Sequence, residues 1–384
     1  MLNLLSFFWG SCYVAGMQNS LSSSIPAPIP VTKTQNPKAK PDAKALGFGK
    51  YFTDHMFLIE YEPGADGKSL WHSPRIVPYG PLPLDPGASV LHYGQALFEG
   101  MKAFYNQDQQ VVLFRPFFNF ERMQTGAERL CMACPPKEMM FNALQALLQL
   151  DREWVPKQNG CALYIRPTLI GTEGFLGVRP SSKFLFYIIL SPVGAYYKEG
   201  LNPVKIWVEE NYVRASKGGL GATKAGANYA ASLLAAENAK KKGYSQVLWL
   251  DGAQHQYIEE VGTMNVFFVL EDKVVTPELS GSILPGGTRE VAITLLKSWG
   301  YKVEERPLSI QEVMDGLKKG RLREAFGTGT AAVISPVGEL CYKGEKHIIN
   351  QFQMGELSQR LYDEITGIQL GKKPDPFGWI VKLN

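Results

Sequence analysis

The residue of this chain best placed to do covalent chemistry is a lysine among six small neighbours. Lys224 follows Gly221, Ala222 and Thr223 and precedes Ala225, Gly226 and Ala227. Small neighbours let a bulky planar ligand approach, and an amine in such a pocket can lose its proton and attack a carbonyl. On these residues alone a mobile glycine-rich loop fits equally well, and Lys217 in the same loop is a second candidate.

Two further stretches suit a phosphorylated, electrophilic partner. Leu284-Pro-Gly-Gly-Thr-Arg289 delivers Gly287 and Thr288 onto the first turn of a helix. Free N–H groups and the helix dipole there favour a phosphate, although a plain glycine turn before a capped helix would read the same. Glu259 and Glu260 stand at a strand end beside apolar residues, where a carboxylate could hold a protonated ring nitrogen or simply face solvent.

Competing motifs fail on their own chemistry. Gly218 to Lys224 resembles a phosphate-binding P-loop, but Thr223 stands where glycine is needed and Ala225 where a hydroxyl would meet magnesium. Gly327-Thr-Gly-Thr-Ala-Ala332 resembles a dinucleotide turn, yet Val333 to Pro336 read extended and then break, rather than opening a helix. No G-x-S-x-G or H-E-x-x-H occurs. Cys131 and Cys134 form one C-x-x-C with no second pair, half a zinc site, so they read as packing at a helix end and no metal is expected.

The elements that must position these residues alternate between strand and helix. The first half reads as strands at Tyr51–Glu60, Met101–Tyr105, Val111–Phe114, Ala162–Pro167 and Phe184–Leu190, with helices at Asn119–Leu130 and Lys137–Trp154. The second reads as strands at Val204–Val208, Gln246–Leu250 and Met264–Leu270, the last turning back to Val275. Its helices are Asn228–Lys242, Thr288–Trp299 and one opened by a Ser309/Glu312 capping box. The class is α/β or α+β. Ser, Pro and Lys over 18–45 predict a flexible tail spanning 1–45, followed by a small domain over 46–193. Proline and glycines around Ser191–Gly200 place an interdomain loop at 194–203, with a larger domain over 204–384.

Bulk properties set limits. With 384 residues, 45% apolar and 20% charged, a soluble two-domain protein is the expectation. A net charge of +4 without a basic stripe argues against nucleic acid. Five cysteines, an odd and sparse set, suit a reducing compartment. Met1 to Gly16 is apolar but too short to span a bilayer and lacks the basic residues of a signal or mitochondrial presequence; Met17 is an alternative start. A cytoplasmic location is expected, or a mitochondrial or plastid matrix in a eukaryote, with no membrane partner.

Taken together, several stretches resemble the branched-chain amino-acid aminotransferases, of the fold-type-IV pyridoxal-phosphate group. They are Leu91-His-Tyr-Gly-Gln-Ala-Leu-Phe-Glu-Gly100, Tyr164-Ile-Arg-Pro-Thr168, Lys224-Ala-Gly-Ala-Asn-Tyr229, Glu259-Glu-Val-Gly-Thr-Met-Asn265, Ile283-Leu-Pro-Gly-Gly-Thr-Arg289 and Gly327-Thr-Gly-Thr-Ala331. They run in order from about Phe48 onward. Phe52-Thr-Asp-His-Met56 and Asp151-Arg-Glu-Trp-Val-Pro156 resemble the longer subclass that includes the animal enzymes.

The resemblance implies a smaller N-terminal α/β domain and a larger, barrel-like, cofactor-binding C-terminal domain. It also implies ping-pong amino transfer from leucine, isoleucine or valine to 2-oxoglutarate. Lys224 would carry pyridoxal 5'-phosphate as a Schiff base and move the α-proton. Glu260 would pair with the ring nitrogen and Tyr229 with the phenolic oxygen. Arg122, Thr263, Gly287, Thr288 and Thr330 would hold the phosphate. Tyr93, Tyr164 and Arg166, with the backbone of Thr330 and Ala331, would receive the substrate carboxylate. Phe48, Phe98, Tyr196 and Tyr229 would wall its side chain. Sites completed across a homodimer are implied, with Leu176 and Val178 reaching the partner's pocket. Ala332 and Ser335 stand where some animal relatives carry a redox C-x-x-C, so no such thiol switch is expected. A D-amino-acid aminotransferase, an aminodeoxychorismate lyase and a nucleotide-binding regulatory module are the alternatives.

Overall fold

The computed structural model describes residues 28–64, 69–194 and 201–383. Among these, the first half of the chain forms β1 (His55–Pro63), β2 (Ser69–Pro78), α1 (Ser89–Tyr93), β3 (Ala96–Phe98), β4 (Met101–Tyr105), β5 (Val111–Phe114), α2 (Pro116–Arg129), α3 (Lys137–Leu150), β6 (Ala162–Gly171) and β7 (Phe184–Val193). The second half forms β8 (Val204–Val208), α4 (Gly226–Lys241), β9 (Gln246–Leu250), β10 (Ile258–Val261), β11 (Asn265–Leu270), β12 (Val274–Thr276), α5 (Gly287–Ser298) and β13 (Val303–Glu305). It ends in α6 (Ile310–Lys318), β14 (Leu322–Gly329), β15 (Val333–Tyr342), β16 (Glu345–Ile348), α7 (Glu356–Gln369) and β17 (Ile380–Lys382).

Antiparallel pairing orders the first sheet β17-β5-β4-β6-β7-β1-β2, with β3 pairing off β6. One face presents Phe57, Phe186 and Ile188 to α2 and α3, which answer with Phe120, Met123, Met140, Leu144, Leu147 and Leu148. In α3 the last four fall one helical face apart, which is why this stretch folds as a helix against a sheet. Each such side chain stabilises the fold by roughly 1.5–3 kcal/mol on leaving water. The helix stops at Leu150, short of the expected Trp154. Asp151 turns its carboxylate to the N–H and ring of His55, and Arg152–Trp154 continue as a 3-10 turn.

The second sheet runs β10-β9-β8-β15-β14-β11-β12-β13, with β16 beside β15 and parallel pairs at β8–β9, β8–β15 and β12–β13. Alternation along β11 splits its aromatics between two cores. Phe268 joins Val266 and the α6 residues Val313 and Met314. Phe267 stacks on Phe326 at 5.2 Å and joins the α5 and α7 residues Leu295, Leu296, Leu361 and Ile365. Pro336 does not break β15, contrary to the sequence reading. The strand leaves its β14 partner at Pro336 and takes up β8 at Val337, so the missing N–H falls at the handover.

Part of the expected tail over 1–45 makes contacts with the first sheet. Val31 bridges to Ile76 of β2, Thr34 and Lys38 bond to β1 and its approach, and Asp42 caps a 3-10 turn at Ala43–Ala45. Residues 1–27 lie outside the described residues. Among the described residues no helix is long and apolar enough to cross a membrane.

Candidate active site

Lys224 sits one residue before the cap of α4, held from three sides. Its carbonyl accepts the N–H of Phe98 at 3.2 Å, and Ala225 bridges to Leu97, so β3 of the first sheet braces it. Asn228 donates to the carbonyls of Leu220 (2.7 Å) and Thr223 (2.8 Å), drawing the loop onto the start of α4. Gly221 lies so close to the backbone of Ser282 that a Cβ would collide with it; the small residues let the loop pack against the Ser282–Leu284 turn. The loop is therefore packed in place, and Lys224, unlike Lys217, lines the large cavity beside it.

That cavity, about 460 Å³, is lined by residues of both sheets. On one side stand Lys224, Tyr229 and Phe98, with Lys224 Nζ 2.8 Å from Tyr229 Oη and the Phe98 and Tyr229 rings 4.8 Å apart. Burial, then the charge of Arg122, lowers the Lys224 amine to about 8. Burial, then Glu260, raises the Tyr229 phenol to about 12, so the phenol keeps its proton. Lys217 does not line this cavity.

At a second wall, Gly286 begins α5 with no side-chain cap, leaving the first N–H groups of Gly287 and Thr288 without helical partners. Arg122, Thr263 and Thr330 line the same cavity. Arg122 is aimed by a buried pair: its Nε and Nη2 donate to the two oxygens of Glu99 at 2.7 and 2.8 Å, and Nη1 donates to Pro285 O at 2.8 Å. One N–H on each terminal nitrogen remains for a ligand. Burial would raise the Glu99 carboxyl, but the charge and hydrogen bonds of Arg122, then Lys224, hold it below the usual range.

Glu260 forms the third wall, accepting the N–H of Leu284 at 2.8 Å with Arg214 Nε 3.2 Å away. Burial raises its carboxyl, and Arg214 opposes that shift. Glu259, its neighbour on β10, points the other way into Ser282, and burial pushes it to about 7. At the remaining side Arg166 donates to Tyr164 Oη at 3.1 Å and lies 4.5 Å over Phe98, while Phe48 meets Tyr164 edge-on at 4.9 Å. Ala331 lines this side, its carbonyl held by Lys102 Nζ at 2.7 Å.

Two expected residues stand elsewhere. Tyr93 is exposed on α1 and donates to Leu176 O, and Val178 is 87% exposed in the same segment. Tyr196 lies outside the described residues. Sequence reasoning missed Glu99, Arg214 and Lys102. Glu99 falls within one of the quoted motifs, but its partner Arg122 lies on α2, and no spacing rule connects Arg214 to Glu260.

An ammonium of lowered pKa, an uncapped helix start beside a guanidinium, and a buried carboxylate surround one cavity, a combination suited to a carbonyl ligand that carries a phosphate. Residues 96–340 match the family described as amino-transferase class IV, and the chain belongs to it. Branched-chain-amino-acid aminotransferase 2 of Bacillus subtilis (strain 168) is 52% identical over 355 residues, covering 92% of this chain and 97% of that one. Branched-chain-amino-acid transaminase 1 of the same organism is 52% identical over 352 residues, covering 91% and 98%. The crystal structure of the T.th. branched-chain amino acid aminotransferase with pyridoxamine 5'-phosphate superposes with a TM-score of 0.70 at 26% identity, covering 85% of this chain and 98% of that one. Within class IV, the chain is a member of the branched-chain-amino-acid aminotransferase family.

Proposed function

We propose that this protein transfers amino groups reversibly between leucine, isoleucine or valine and 2-oxoglutarate, using pyridoxal 5'-phosphate. The observation that carries the reading is Lys224: a buried amine lowered to about 8, 2.8 Å from Tyr229, inside a cavity with anion-binding and carboxylate walls. The donor set fits the cofactor. Arg122 and the free N–H groups of Gly287 and Thr288, with Thr263 and Thr330, would hold its phosphate. Glu260, paired with Arg214, would hold the ring nitrogen, and Tyr229 the phenolic oxygen. When bound, the group supplies an electron sink for the pair left as a proton leaves the substrate Cα.

The chain's own residues do the rest. Lys224, partly neutral near physiological pH, would hold the cofactor through its carbonyl carbon and, once released, would carry the proton that leaves the substrate Cα. Arg166, Tyr164 and the turn at Thr330–Ala331 orient a carboxylate, while Phe48 and Phe98 bury an aliphatic side chain and exclude water. Tyr93, Leu176 and Val178 form an exposed group that we assign to a second copy of the chain, completing its pocket. The four described cysteines are free thiols, in keeping with a cytoplasmic location.

Borohydride reduction of the cofactor-loaded enzyme followed by peptide mapping tests the site. The expected pyridoxyl adduct is on Lys224; an adduct on Lys217 or Lys343 would sink the assignment. Turnover of L-valine but not D-valine separates this reading from a D-amino-acid aminotransferase.

A further inference from the structure

Residues 30–48 connect the edge of the first sheet to the substrate side of the cavity. Val31 bridges in parallel to Ile76, with Thr32 N donating to Ile76 O and Ile76 N to Pro30 O, each at 2.9 Å. Thr34 N then donates to His55 Nε2 at 3.0 Å, and Nδ1 of the same ring lies 2.6 Å from Asp151. A ring that accepts at Nε2 carries its proton on Nδ1, so Asp151 fixes the tautomer that receives the chain. One residue before His55, Asp54 accepts Lys38 N at 2.8 Å and Trp154 Nε1 at 2.9 Å. Lys38 Nζ donates to Thr53 O at 2.8 Å.

Beyond this clip the chain is anchored again. Asp42 caps the turn at Ala43–Ala45, Leu46 is buried, and Gly47 O accepts the N–H of Gly194 at 2.9 Å. The next residue is Phe48, set against Tyr164 at the cavity wall. A capped turn and a buried leucine thus connect the clip to the ring of Phe48.

We propose that residues 30–45 are a docked arm, clipped by His55–Asp151 and by Asp54, that holds Phe48 as one wall of the substrate side-chain pocket. Thr34, Lys38 and His55 are thereby positioning residues for substrate selection. The inference rests on the cavity's being the substrate site. A wall acts on the aliphatic end of the substrate and not on the amine at Lys224, so its loss raises KM and spares kcat.

The test uses the full-length holoenzyme with Thr34→Pro, which deletes one N–H, and the double variant Thr34→Pro/Lys38→Pro, which deletes two N–H groups and the ammonium. Neither residue lines the cavity. Amide exchange over residues 28–47 in the double variant is expected to speed by about tenfold or more. KM for a branched 2-oxo acid should rise about five- to tenfold, with kcat within about twofold and cofactor absorbance unchanged. On a Phe48→Ala background the KM effect of the double variant should vanish. Faster exchange with unchanged KM, unchanged exchange in both variants, or a KM effect that survives Phe48→Ala would each overturn the proposal. A wild-type enzyme that does not turn over branched substrates would instead sink the functional reading, and the exchange measurement would still judge the clip.

Discussion

Replacing Arg214 by methionine removes the cation paired with a carboxylate that is almost wholly out of water. Glu260 and Arg214 are 3% and 8% exposed, and their closest polar atoms are 3.2 Å apart. Arg214 also donates to the carbonyls of Gly221 and Ser282, tying the Lys224 loop to the turn before α5. Breaking a buried pair by deleting one partner costs about 3–5 kcal/mol, since the other charge stays buried without compensation. The loss must depend on pH. Burial already raises the Glu260 carboxyl and Arg214 restrains it, so the variant lets it rise further. An acid whose pKa is higher folded than unfolded favours the fold below its unfolded pKa and loses that stability as pH rises through its folded value. The deficit should therefore be larger at pH 8 than at pH 5.5. Urea denaturation of the apoprotein, followed by tryptophan fluorescence at both pH values, measures it. Arg214→Lys keeps a charge and should lose less. A deficit for Arg214→Met within about 1 kcal/mol of zero, or one equal at both pH values, would refute the reasoning.

Three further outcomes follow from the same geometry. In the apoprotein, reductive trapping of a small aldehyde on Lys224 should rise with a midpoint near pH about 8, where an ordinary lysine needs about 10.5; a midpoint at the ordinary value would remove the activated amine. Gly100→Ala places a Cβ onto the Tyr164 hydroxyl. KM for both substrates should rise severalfold while cofactor absorbance holds, and unchanged kinetics would show that Tyr164 does not bind substrate. Val178→Asp puts a charge into the exposed apolar segment of Leu176 and Val178. Size-exclusion chromatography should report a shift from dimer to monomer with activity lost; an unchanged dimer with full activity would exclude this face as the interface.

The parts legible in the sequence are those whose chemistry shows in neighbouring residues. Small residues around Lys224, Gly286–Gly287–Thr288 before a helical run, and an acid at a strand rich in apolar residues each carry a local signal. The roles of Arg214 and Glu99 depend on partners brought close only by folding, so nothing in their own segments marks them. Regular elements follow the same rule. The β8 and β9 boundaries match the apolar runs at Val204–Val208 and Gln246–Leu250. Edge strand β2 escapes because Pro74 and Pro78 obscure it and Ser73 takes a positive φ of 54°. Helix α7 is absent from the sequence reading although Leu357, Leu361, Ile365 and Ile368 repeat at helical spacing and fill a core. In the capping box Ser309 accepts Glu312 N as expected, but the Glu312 carboxylate turns to Arg306.

Strand β17 pairs with β5, so the first sheet is closed on one edge by residues 380–382, after the whole second sheet has been made. During synthesis the N-terminal half must wait, with the β5 edge unpaired, until those three residues leave the ribosome. An exposed strand edge is a template for pairing with other chains. Phe114, next to this seam, rests edge-on against Trp379 at 5.7 Å, so the late strand brings an aromatic plug with it. Vectorial folding thus leaves this protein open to mispairing until β17 has emerged, and chaperone dependence should centre on β5.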